Sequence, residues 1–198
     1  MNCAIVLAAG MSRRMGAQKV LLPFGGKTVI SHIVDQIADS VVDKIIVVAG
    51  DESDRVRGQL SGRDVSIVIN PDCGVEMLSS VRCGIRALPE ECRCVLVALG
   101  DQPGITTGLV NEMVNAFKAA NKGILVPVHQ GKWGHPILFS SRYCSEILTR
   151  YENIGLRGLA ETHPDDVFEL NVSSPAALCD MDWPEDYRRE LELFREVR

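Results

Sequence analysis

Cys3-Ala4-Ile5-Val6-Leu7-Ala8-Ala9-Gly10-Met11-Ser12-Arg13-Arg14-Met15-Gly16 opens the chain almost at its first residue, with Lys19 close behind. An unbroken apolar run closed by small residues predicts a strand buried on both faces. Leu7, Ala8, Ala9 and Gly10 end that strand with little side chain to keep a ligand off the backbone, and Arg14 and Lys19 bring fixed positive charge to the loop. Such a loop suits a polyphosphate, although the same residues also describe an ordinary turn with solvated arginines. The familiar phosphate motifs do not separate the two. Gly10 and Gly16 have no Lys-Ser/Thr behind them, no G-x-G-x-x-G follows the strand, and Gly26-Lys27-Thr28 lacks the glycine that a P-loop needs where Leu21 stands.

Outward from this stretch the pattern repeats. Apolar runs at 4–7, 45–49, 65–69, 94–99 and 124–128 alternate with helical spacing: Val29, Ile33 and Ile37; residues 79–88; and Leu109, Met113 and Phe117 behind a cap at Thr106 or Thr107. Strand and helix in alternation predict a parallel α/β sheet. The last third changes character. Short strands are expected at 136–139, 167–172 and 178–181 as antiparallel additions, with helices at 141–151, 155–161 and 184–198. No repeat or linker interrupts the 198 residues, so one domain over 1–198 is expected.

A net charge of −5 argues against a nucleic-acid partner, so any basic site must be local. No apolar run has the roughly eighteen residues of a membrane span, and the first strand meets glycine and arginine rather than a signal-peptide cleavage site. A cytoplasmic protein without membrane partners is expected. The seven cysteines are odd in number and scattered, which fits reduced thiols. Strand alternation sends Cys92 and Cys94 to one face, but no second ligand pair follows that would make a zinc site.

Several constellations fall where an open parallel sheet places ligands, beyond the carboxyl ends of its strands. Gly100-Asp101-Gln102-Pro103 ends the fourth run: Asp101 is placed either to hold a metal over the sheet edge or to form an Asx turn before the next helix. Asp180 and Asp182 alternate onto one face, and spacing does not choose between them as a second metal ligand. Ser79 and Ser80 stand at a helix start, where a hydroxyl caps the helix or meets the edge of a base. Gly134-His135-Pro136 precedes a short strand, and Arg157 lies in Gly155-Leu156-Arg157-Gly158-Leu159.

Together these residues resemble the MobA-like nucleotidyltransferases, whose members read L-A-A/G-G-x-S-x-R-M-G-x-x-K across the first loop; every fixed position is met, and the resemblance spans the whole chain. Ala9, Leu21-Leu22-Pro23 and Gly25 look like the molybdenum cofactor cytidylyltransferase branch. The resemblance implies a three-layer α/β/α, Rossmann-like, mostly parallel sheet of the nucleotide-diphospho-sugar transferase type. It implies an enzyme that transfers CMP from a nucleoside triphosphate, CTP favoured, to a molybdopterin-type acceptor, with Mg²⁺ as cofactor and a recipient molybdoenzyme as a further partner. Its alternatives are guanylyl transfer, transfer to a sugar or alditol phosphate, and a non-catalytic maturation chaperone.

Carried over residue by residue, it assigns Arg14, Lys19 and Asp101 to catalysis. Leu7 to Gly10, Ser80 and Gly100 join these three at the nucleotide. Metal falls to Asp101 and Asp182, and the acceptor to Gln102, Gly134, His135, Pro136 and Arg157. The chain departs from the family pattern at Glu76, Leu78, Trp133 and Trp183.

Overall fold

The computed structural model describes residues 1–10, 15, 17–73 and 76–196. In chain order they form strand β1 (Asn2–Ala8), a small hairpin of β2 (Pro23–Phe24) and β3 (Lys27–Thr28), helix α1 (Val29–Ala38), β4 (Lys44–Ala49), α2 (Ser53–Gln59), β5 (Ser66–Ile69), α3 (Met77–Arg86), β6 (Cys94–Leu99) and α4 (Thr107–Ala120). The remainder comprises β7 (Ile124–His129), β8 (Lys132–Trp133), β9 (Ile137–Ser140), α5 (Cys144–Thr149), α6 (Arg157–Thr162), β10 (Val167–Asn171) and α7 (Pro184–Glu196).

The main sheet runs β10-β7-β9-β6-β1-β4-β5, with β8 paired to β7. Strand β1 lies between parallel neighbours on both edges, in register Ala8 to Ala49 of β4 and Leu7 to Leu99 of β6. Its alternation divides the core. Ala4, Val6 and Ala8 enter an apolar layer with α1, α2, α4 and α7, whereas Cys3 and Ile5 enter the opposite layer with α3, α5 and α6. The three layers expected from sequence are therefore present, and the three strands that finish side by side release their loops at one edge of the sheet.

The helices begin where side chains satisfy free backbone donors. Thr28 and Thr106 accept from Ser31 N–H and Leu109 N–H at 3.4 and 3.2 Å, capping α1 and α4. Thr107 instead donates from Oγ1 to the Gln36 carbonyl at 2.8 Å, joining α4 to α1. Pro184 opens α7, and Asp186 in its first turn accepts from Trp183 N–H at 2.9 Å.

The last third departs from expectation in three ways. Only β9 joins the sheet antiparallel among the segments expected to do so; it lies between β6 and β7, because a short link through β8 returns the chain alongside β7. Strand β10 is parallel to β7, since α5 and α6 carry the chain back across the sheet before it enters. Residues 178–181 are not a strand: a 3-10 turn covers Pro175–Leu178, and Met181 N–H donates to the Asp101 carbonyl at 3.3 Å rather than to a ladder. The helix expected at 141–151 is a 3-10 turn followed by α5. Cys92 and Cys94 fall in opposite core layers, because Cys92 precedes β6 and strand alternation does not govern it. Helix α2, which buries Val56 alone, left no periodic signal. Among the described residues no helix is long and apolar enough to cross a membrane.

Helix α3 approaches β1 so closely that a Cβ on Gly84 would stand 2.5 Å from Ile5 Cγ2. Gly84→Val should therefore destabilise the protein by about 1–3 kcal/mol through overpacking. Urea denaturation checks this, and a midpoint at or above that of the parent would contradict it.

Candidate functional site

The loops after β1 and β6 meet at Lys19. Its Nζ lies 2.5 Å from Asp101 Oδ2 and 2.8 Å from Asp182 Oδ1, so one ammonium joins three segments far apart in sequence. Burial alone would lower the lysine pKa; Asp101 first and Asp182 second more than offset this and hold it above its ordinary value. Asp101 does not cap a helix, since Thr106 performs that task for α4. Asp186 Oδ2 accepts from the backbone N–H of Asp182 at 3.2 Å, fixing the carboxylate-bearing turn from the start of α7.

Gln102 is 1% exposed, and its Nε2 donates to Asp180 Oδ1. It braces one carboxylate segment against the other. Desolvation, then the charges of Asp101 and Asp182, push the Asp180 pKa up, against Gln102 and Lys19. His32 on α1 adds a brace that the sequence did not disclose, its Nε2 lying 3.2 Å from the Pro103 carbonyl.

Beside Lys19 opens a cavity of about 300 Å³ lined by Leu7, Ala9, Gly10, Ser80 and Asp101, with Cys73, Glu76 and Asp180 among its other walls. Among the described residues nothing lies within 4 Å of where a Cβ on Gly10 would stand. Gly100 has a different reason: a Cβ there would meet the Leu7 carbonyl oxygen at 2.7 Å, so its bareness lets β6 end against β1. Ala8 belongs to the core layer under α1. Arg14 lies outside the described residues.

Neither serine caps α3, which has no side-chain cap. Asn70, just past β5, donates from Nδ2 to Ser79 Oγ at 2.8 Å and to Ser80 Oγ at 2.9 Å, tying the helix to the strand end. Ser80 is thereby held in the cavity wall. The Glu76 carboxylate accepts from Asn153 N–H at 3.4 Å, so it reaches toward the loop before α6.

Between β8 and β9, Gly134 N–H donates to the Pro127 carbonyl at 2.9 Å, and His135 is joined to Pro136 by a cis peptide bond. Arg157 stacks over Trp133, 5.6 Å from its ring centroid, while its Nε donates to Glu161 at 2.9 Å. Trp133 Nε1 donates to Glu169 at 2.7 Å. The tryptophan thus holds the arginine in place, a pairing between residues 24 positions apart that no spacing rule marks.

Burial lowers the His135 pKa, partly opposed by Asp101. With the folded value below the unfolded one, the unfolded chain binds more protons between the two. This stabilising contribution is therefore complete above the unfolded pKa and lost as pH falls toward the folded one. A proton NMR titration should place the His135 imidazole below the ordinary value of about 6.5. A midpoint at or above that value would contradict the burial argument.

Comparison with known proteins follows this geometry. Residues 4–167 match the family model described as MobA-like NTP transferase domain. The chain is 27% identical to the molybdenum cofactor cytidylyltransferase of Escherichia coli K12 over 194 residues, 98% of this chain and 97% of that protein. Among solved structures, it resembles Rv0371c of Mycobacterium tuberculosis H37Rv at a TM-score of 0.83 and 28% identity, covering 97% and 98% of the two chains. A nucleotidyl transferase of Methanothermobacter thermautotroptrophicus aligns at a TM-score of 0.86 and 25% identity, covering 100% and 99%. A further structure of Rv0371c is a complex with manganese, at a TM-score of 0.80 and 27% identity over 96% and 97% of the chains. With its three-layer sheet and the family model covering most of its length, the chain belongs to the MobA-like NTP transferase family and is a nucleotidyltransferase.

Proposed function

We propose that this nucleotidyltransferase transfers CMP from CTP to the phosphate of a molybdenum-loaded pterin, releases pyrophosphate, and uses Mg²⁺ held by Asp101 and Asp182. The observation that carries the reading is the convergence of those two carboxylates on one cation, the Lys19 ammonium, at the edge of a cavity backed by small residues. Among the described residues no group of three or more His, Cys, Asp or Glu side chains is placed to hold a metal. Two hard carboxylate oxygens nevertheless fit magnesium, which takes its other ligands from water and phosphate. Manganese in the Rv0371c complex and the activity named for the Escherichia coli relative support the same assignment.

The chemistry is an in-line displacement in which the acceptor phosphate attacks the α-phosphorus and pyrophosphate leaves. A dianionic nucleophile needs no protein base, so the protein's part is orientation and charge neutralisation. Held by Asp101 and Asp182, Mg²⁺ would supply positive charge to offset the negative charge that grows in the transition state. Lys19, paired with Asp101 and Asp182 here, becomes a partner for the triphosphate, and Arg14 adds charge from the same loop. Backbone at Ala9 and Gly10, with Ser80 in the same cavity, holds the nucleoside. His135, kept neutral by burial, faces the acceptor side with Gly134 and Pro136, and Arg157 on its Trp133 support offers an anchor for the acceptor's anionic groups.

Pyrophosphate release should require CTP, a divalent cation and the molybdenum-loaded pterin together. The assay uses each of the four nucleoside triphosphates with and without the pterin; a preference for GTP, or release without pterin, would overturn the proposed specificity. Asp101→Ala should abolish turnover with the fold intact by circular dichroism, and retained metal-dependent turnover would refute its role.

Lys19→Met removes a charge-assisted contact worth about 1.5–3 kcal/mol, so half-saturating CTP should rise about tenfold or more. The same variant should bind Mn²⁺ more tightly without nucleotide, because the competing ammonium is gone. Paramagnetic resonance measures that affinity, and unchanged or weaker Mn²⁺ binding would count against a shared cation position.

A further inference from the structure

At the start of α3, Glu76, Met77 and Ser80 wall the nucleotide cavity. The same stretch of chain holds residues 150–156, the connection from α5 to α6, through two side chains. Arg82 Nε donates to the Ile147 carbonyl at 2.9 Å, and its Nη2 reaches the Arg150 carbonyl and the Glu152 carboxylate, both at 2.7 Å. The Glu76 carboxylate accepts from Asn153 N–H in that connection. Tyr151 and Asn153 there have φ of 76° and 65°, the left-handed region that a tyrosine rarely enters, and Gly155 follows at 75°. A non-glycine residue stays in that region only where its surroundings hold it. The Tyr151 hydroxyl donates to Glu146, and its carbonyl accepts from Ile154 N–H and Gly155 N–H at 3.2 and 2.9 Å. A Cβ on Gly158 would stand 2.7 Å from Tyr151 Cδ1, so the first turn of α6 rests directly on that ring. Arg157, beside Gly158, opens α6 and stacks over Trp133.

We infer that Glu76 and Arg82 are positioning residues: they clamp residues 150–156 to α3 and so set where Arg157 stands relative to the nucleotide cavity. The inference rests on Arg157 anchoring the acceptor, as proposed above. In-line transfer needs the attacking oxygen about 3–3.5 Å from the phosphorus, and a misplacement of about 1 Å costs on the order of a hundredfold in rate. A helix that walls the first site and also holds the anchor of the second keeps that distance fixed. Glu76 takes part in both, since it lines the cavity and bonds to the connection. Arg82 grips the connection through bonds on either side of Tyr151, to Arg150 and Glu152, and the tyrosine transmits the restraint to α6 through its contact with Gly158.

Acrylamide quenching of Trp133 fluorescence reads the position of Arg157 without any substrate. A Trp183→Phe background leaves Trp133 as the only tryptophan, and Arg157→Ala calibrates the ring without its cover. Glu76→Ala and Arg82→Met should each raise the quenching constant at least halfway to that of Arg157→Ala, with the circular dichroism spectrum retained. Glu76→Gln should stay at the parental value, because its amide oxygen still accepts from Asn153 N–H. In the pyrophosphate assay, Glu76→Ala and Arg82→Met should raise half-saturating pterin about tenfold while half-saturating CTP changes by no more than about twofold, and Glu76→Gln should restore both. Should Arg82→Met fold poorly, Glu76→Ala decides alone. Quenching at the parental value in the folded variants, or a rise in half-saturating CTP equal to that of pterin, would overturn the proposal. A parent protein that releases no pyrophosphate from CTP and pterin would instead overturn the proposed function, and quenching would still decide the clamp.

Discussion

Strand β1 has its side chains divided between two apolar layers and its backbone bonded to β4 on one edge and β6 on the other. With both faces and both edges occupied, it has almost no freedom to slip, because a shift of one residue would exchange Val6 for Ile5 between layers of different shape. The ends of its neighbours are located by this restraint. Gly100 fits against the Leu7 carbonyl and Gly84 fits over Ile5, so α3 and the loop after β6 are drawn against the same strand. Asp101 and Ser80 owe their positions to those two close approaches.

Charge then organises what packing has brought together. Asp101, Asp180 and Asp182 would repel one another at the end of the sheet, and Lys19 with Gln102 makes their proximity tolerable. An ammonium between two carboxylates is a self-consistent arrangement of charge. The loop that supplies the lysine and the turn that supplies Asp182 come from opposite ends of the chain. The site is therefore complete only when the C-terminal segment lies across the sheet edge, as the bond from Met181 N–H to the Asp101 carbonyl keeps it.

The five long strand runs and the helices α1, α3 and α4 were legible because each buries a face or a stripe, and periodic burial leaves a periodic sequence. The parts that were not legible bury little or follow connection geometry. Helix α2 hides one valine; residues 178–181 look like a strand by composition but send their backbone bond to a loop; β10 is parallel because of the crossover before it, and β9 is inserted between β6 and β7 because of the short turn before it. At the site, residue types were informative where chemistry is rare in the pattern, as with Lys19, Asp101 and Asp182. Gly100 and Gln102 were read as meeting nucleotide and acceptor; what no spacing marked is that Gly100 also packs against the Leu7 carbonyl and Gln102 braces Asp180.

By itself the sequence determined an alternating α/β chain with a small-residue loop after its first strand and acidic residues beyond later ones, because hydrophobic period and local turn chemistry are encoded over a few neighbouring residues. Only the tertiary structure decided that Lys19 pairs with Asp101 and Asp182, and that Trp133 supports Arg157. Those relations join residues up to 163 positions apart. Their distances follow from how strands order themselves in the sheet and how the last helix closes over it, which no local pattern specifies.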